Sequence, residues 1–83
     1  MTGRPGVQPD ETLVYREVGR RIRQTRQHRG MSQAQLAQLV GLNRTSITNI
    51  EGGNQTLTLA GFLSFADALD VDWADLLNNR GHP

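Results

Sequence analysis

Only three residues, Gly41-Leu42-Asn43, separate two eight-residue stretches in which apolar side chains recur at helical spacing. In residues 33–40, Leu36, Ala37 and Val40 share one side; in residues 44–51, Ile47 and Ile50 do. Steps of three and four residues line one face of a helix, whereas a strand alternates with period two. Helices this short are marginal in isolation, so they must pack on each other and on their neighbours. The short link forces a sharp turn, which favours a residue that accepts positive φ, here Gly41. A steep crossing needs a small residue at the contact, here Ala37. Ile47 and Ile50 then anchor the second helix and leave its opposite side free. A plain helical hairpin does not need all four of these residues together.

The rest of the chain reads as helices around that unit. Ser32 and Asn43 are expected N-caps, and Gly41 and Gly52-Gly53 are expected ends. Upstream, helical periodicity begins near Asp10–Thr12. Val14, Val18 and Ile22 recur every four residues, with Leu13 and Thr25 beside them, and predict one apolar stripe. His28, Arg29 and Gly30 close that helix, cations suiting its C-terminal dipole. Downstream, Thr58 caps a fourth helix to about Leu69, with Phe62, Leu63, Ala66 and Leu69 on one side. Asp72 caps a short fifth helix carrying Trp73, Leu76 and Leu77. No run alternates, so no sheet is expected. The expected fold is all-α: five helices, with a helix-turn-helix at residues 33–51. Residues 1–10, with Gly3, Pro5-Gly6 and Pro9, read as a flexible arm, 11–78 as one domain, and 79–83 as a frayed end.

Composition narrows the function. The 83 residues contain no cysteine, so packing alone must hold the domain, which fits a reducing cytoplasm. No stretch nears the roughly 18 apolar residues of a membrane span, and the first nine residues lack the apolar core of a secretory signal. Net charge is only +1, but it is divided. Residues 1–50 hold eight arginines against three acids, a net +5, and residues 51–83 hold one arginine against five acids, a net −4. That asymmetry implies a basic face for a polyanion and a separate acidic face.

The run RIRQTRQHRGMSQAQLAQLVGLNRTSITNIEGGNQTLTLAGFLSFADALDV resembles the Cro/C1-type helix-turn-helix family, the fold of phage repressors. The resemblance covers roughly residues 14–78. It implies a lambda-repressor-like bundle of about five helices that binds double-stranded DNA as a homodimer on an inverted repeat. LNRTSITNIE, followed by a Thr-Leu pair, is also similar to the small controller proteins of restriction–modification systems. By this resemblance Asn43, Arg44, Thr45, Thr48 and Asn49 are the expected base contacts. Gln33 matches a glutamine that binds phosphate and braces the recognition helix. Ser46, Asn54 and Gln55 are further expected phosphate contacts. Arg26 and Glu51 match a structural ion pair tying the first helix to the end of the third. The chemistry agrees: arginine forks onto guanine O6 and N7, asparagine pairs with adenine N6 and N7, and threonine offers a methyl to thymine. One departure is that the loop after the third helix lacks the lysine or arginine common in the family. Arg20, Arg23 and Arg29 are the candidates to compensate, with their side of the bundle left open.

Phe62 and Phe65 are separated by about 300° around a helix. One edge is therefore expected to stay exposed, and with Trp73, Leu76 and Leu77 to form a homodimer seam. An enzyme is not expected. His28 and His82 lie far apart, no nucleophile stands with a base, and the glycine pairs lack a strand-then-helix context. Asp67, Asp70, Asp72 and Asp75 do not follow an EF-hand spacing, and no metal or cofactor is expected. The alternative to a stand-alone repressor is an antitoxin or a controller protein with a protein-partner role.

Overall fold

The structure, a computed structural model, describes residues 11–77. The expectations for the arm, for the Asp10 cap, and for Asn78, Arg80 and His82 lie outside these residues. Five helices follow in order: α1 Glu11–His28, α2 Gln33–Val40, α3 Arg44–Glu51, α4 Leu59–Leu69 and α5 Trp73–Leu77. No strand occurs among the described residues.

Local chemistry sets the helix ends. Ser32 Oγ accepts from Gln35 N–H at 3.0 Å, and Gln35 Oε1 accepts from Ser32 N–H at 2.7 Å. Each side chain thus satisfies a donor that the first turn leaves open. Gly41 ends α2 in the left-handed region, φ 73°, and its N–H donates to the Ala37 carbonyl. Asn43 Oδ1 accepts from Ser46 N–H at 2.8 Å and starts α3, while Thr58 Oγ1 accepts from Gly61 N–H at 2.9 Å and starts α4. α4 ends on Asp70, which takes a left-handed conformation (φ 58°) without being glycine.

One core joins all five helices: Val18 and Ile22 of α1, Leu36 and Ala37 of α2, Ile47 and Ile50 of α3, four residues of α4, and Leu76 of α5. The stripe predicted for α1 is displaced. Leu13 and Val14 are exposed, and the buried face runs through Val18, Gly19, Ile22 and Arg26. A Cβ on Gly19 would collide with the Ile50 carbonyl oxygen and lie 2.8 Å from that of Glu51. Glycine here lets α1 rest directly on the last turn of α3.

The face expected for α4 also needs correcting. Leu63 is exposed, whereas Phe62 and Phe65 are both buried. A separation of about 300° is about 60° in the other direction, so residues three apart are neighbours. Phe65 and Leu76, expected in a dimer seam, are 1% and 0% exposed inside this one chain and present no surface to a partner. Phe62 is likewise buried. Of that set only Trp73 and Leu77 stand outside.

Candidate nucleic-acid interface

With Ile47 and Ile50 in the core, the outer side of α3 is fixed by helical geometry. Asn43, Arg44, Thr45 and Thr48 are exposed, and Ser46 and Asn49 are half-buried. The helix is therefore rooted on one side and polar on the other, with Arg44 at its first turn.

The root is ionic as well as apolar. Arg26 donates from Nε to Glu51 Oε2 at 2.6 Å and from a terminal nitrogen to Oε1 at 3.1 Å. Its other terminal nitrogen reaches the Met31 carbonyl at 2.8 Å. Both side chains are buried. A two-pronged contact of this kind fixes orientation, and removing either member would leave a buried charge uncompensated. The α1–α3 joint is thus held by a glycine contact and an ion pair at neighbouring points.

Gln33 extends this network to the exposed side. Its Nε2 donates to Glu51 Oε1 at 3.1 Å. Its Oε1 accepts from Thr48 Oγ1 at 3.2 Å and, at the longer distance of 3.4 Å, from Arg44 Nε. The first residue of α2 thereby braces two outward residues of α3. The same bonds commit most of its amide inside the protein and leave one N–H for any outside acceptor. Asn43 is constrained too: its carbonyl oxygen serves as the α3 cap, so only its amide group is free to point outward.

The α3–α4 loop begins at Gly53, φ 78°, whose missing Cβ would lie 2.6 Å from the Arg16 Cα. Asn54 N–H donates to the Asn49 carbonyl at 2.8 Å, which turns the chain back along α3. Asn54 is exposed and Gln55 half-buried.

The arginines in the second half of α1, and Arg29 just past its end, divide by partner. Arg20 and Arg21 contact Glu17 at 2.7 and 2.8 Å. The hydrogen bond from Arg20 is the main cause that holds the Glu17 carboxyl below its ordinary pKa; burial opposes it, and the Arg21 hydrogen bond and the charges of both arginines add to the lowering. The same contact raises Arg20. Arg29 turns away to α4, donating to the Asp70 carbonyl at 2.9 Å. Arg23 instead lines the cleft shared by Gln33, Arg44 and Thr48. The sequence held a signal for this: Arg23 lies three residues before Arg26, and a step of three keeps two side chains on one side of a helix. Among the described residues no group of three or more histidines, cysteines or carboxylates is placed to hold a metal ion. None of their helices is long and apolar enough to cross a membrane.

A helix-turn-helix domain family matches residues 17–78. Control protein C.SmaI of Serratia marcescens is 30% identical over 77 residues, covering 88% of this chain and 92% of that protein. Among solved structures, the restriction–modification controller protein C.AhdI of Aeromonas hydrophila superposes with a TM-score of 0.77 at 34% identity, over 82% of this chain and 99% of that one. SinR, a master regulator for biofilm formation solved in complex with DNA, gives 0.68 at 29% identity, over 74% and 98%. The capped pair α2–α3, its ionic root and these likenesses agree: the chain belongs to the XRE-type helix-turn-helix family of DNA-binding transcription regulators, which includes restriction–modification controller proteins.

Proposed function

We propose that this protein binds an inverted-repeat operator in double-stranded DNA as a homodimer, with α3 in the major groove, and represses or otherwise controls genes that include its own. The observation that carries this reading is the bracing of Arg44 and Thr48 by Gln33. A side chain that reads a base edge must hold its direction before contact, or ordering it weakens binding. Arg44, Thr45, Thr48 and Asn49 supply base-edge chemistry, with the free amide of Asn43 beside them. Ser46, Asn54, Gln55 and the remaining N–H of Gln33 supply phosphate contacts around them.

The homodimer is supported by an apolar surface away from α3. Leu59, Leu63, Trp73 and Leu77 are exposed together with Val14 of α1, around one groove lined also by Leu57 and Phe62. This surface replaces the seam expected from sequence, keeping its Trp73 and Leu77. A two-fold dimer spaces its two recognition helices and demands half-sites about one helical turn apart, or multiples of that.

The controller role is the finer reading favoured by the likeness to C.SmaI and C.AhdI along nearly their whole lengths. Selection of bound genomic fragments tests the reading, with wild type and Asn49→Ala run side by side at physiological salt. The expected outcome is an inverted repeat enriched by wild type and lost by the variant. A repeat upstream of this gene and of a restriction enzyme gene supports the controller role. Enrichment of no sequence by wild type overturns operator recognition.

A further inference from the structure

Most arginines around α1 already have a carboxylate. Arg20 and Arg21 share Glu17, Arg26 is held by Glu51, and Arg29 stands 3.9 Å from Asp70. Arg23 is exposed and has no carboxylate partner among the described residues. It projects one turn before the buried Arg26, at the mouth of the cleft walled by Gln33, Arg44 and Thr48. The loop at 52–58, which passes beside α3, contains no cation. Arg16 is likewise exposed without a carboxylate in those ion pairs, but it stands at the Gly53 turn, and of the two only Arg23 lines the cleft beside the recognition face.

We propose that Arg23 is a backbone clamp, a positioning residue whose guanidinium takes a phosphate of the DNA strand bordering the groove that α3 enters. The proposal rests on the reading of α3 as the recognition helix and adds to it a contact from α1. The guanidinium fork presents two parallel N–H groups to two non-bridging oxygens, a match that needs no base identity. Arg23 opens onto the cleft with Arg44, so a phosphate held there borders the groove that α3 enters and is held alike whatever the base sequence. Neutralising one phosphate releases condensed counterions, and the contact is therefore visible in the salt dependence of binding.

The test uses the full chain, a duplex carrying the selected inverted repeat, and a mixed-sequence duplex of equal length, titrated between about 50 and 200 mM salt. For Arg23→Ala, the plot of log Kobs against log salt is expected to become shallower by about 1 on both duplexes. The affinity ratio between the duplexes is expected to stay unchanged. Arg23→Lys keeps the wild-type slope. Arg29→Ala removes the same charge from the Asp70 contact and also keeps the slope. Arg23 is exposed, so the thermal midpoint of Arg23→Ala is expected to match wild type, which separates clamping from folding. A wild-type slope in Arg23→Ala, or an equal loss in Arg29→Ala, overturns the clamp and leaves recognition by α3 standing. Wild type that binds both duplexes alike overturns recognition, while the slopes still decide the clamp. Wild type that binds neither overturns both.

Discussion

The two ends of this bundle solve different problems with different chemistry. Around α1, α2 and α3, polar side chains are paired across helices: Arg26 with Glu51, Glu51 with Gln33, and Gln33 with Thr48 and Arg44. Around α4 and α5, the exposed side chains include Leu59, Leu63, Trp73 and Leu77, and they sit over a common core. Directional bonds hold a group at one angle, as reading a base edge requires. Apolar area is indifferent to angle and suits association with another surface. Damage at the two ends should therefore be separable. One end should lose recognition and stability together, and the other should lose assembly with the monomer intact.

Glu51→Ala should have the largest effect. It leaves the Arg26 guanidinium buried and unpaired and frees Gln33, with an expected loss of about 3–5 kcal/mol in folding stability by denaturant titration. If stability falls by less than about 1 kcal/mol, the polar end is not organised around this pair. Gly19→Ala probes the same joint without touching a charge. Its Cβ meets backbone carbonyls that cannot rotate away, and an expected cost of about 1–3 kcal/mol follows from overpacking. A neutral result would show that α1 slides on α3 and that this end of the bundle is not rigid.

Leu63→Glu tests the other end. The side chain is 45% exposed, so monomer stability should change by no more than about 0.5 kcal/mol. Sedimentation should nevertheless show the proposed homodimer weakened by about tenfold or more, equivalent to about 1.4 kcal/mol. A dimer unchanged by this substitution would place the seam elsewhere. The smallest effect belongs to Glu17. Because its carboxyl titrates below the ordinary value, it contributes stability above that value, and the contribution is lost as pH falls through the lowered one. Its side chain is 34% exposed, so Glu17→Gln should cost less than about 1 kcal/mol at neutral pH. The variant's stability should also fall less steeply on acidification, and an unchanged acid limb would show the pair to be idle.

Helix ends were legible in the sequence where a side chain or a glycine fixes them. Residues 33–40 and 44–51 follow from Ser32, Gly41, Asn43 and Gly52, because caps are local chemistry. The core was less legible wherever burial is not apolar. The buried face of α1 passes through Gly19 and Arg26, which an apolar pattern does not count, while Leu13 and Val14, which it does count, lie outside. At α4 the difficulty was angular: Phe62 and Phe65 are neighbours on one face, and Leu63 lies outside it. Within the site, the resemblance carried over Arg26 and Glu51 as a pair and Gln33 as a brace for the recognition helix. It did not show that Gln33 accepts from Arg44 and Thr48 together, nor which way Arg23 opens. Both depend on how three helices are disposed in space.

The shared carbonyl of Gln33 bears on how such a protein changes its target over time. Position 33 lies outside α3, yet it is coupled to two of that helix's outward residues. Swapping residues 44–49 for those of a relative would therefore carry over the letters of a new preference without the part that aims them. Drift toward a new site should proceed through paired substitutions at 33 and 44 or 48. Retargeting by design should treat α2 and α3 as a single cassette.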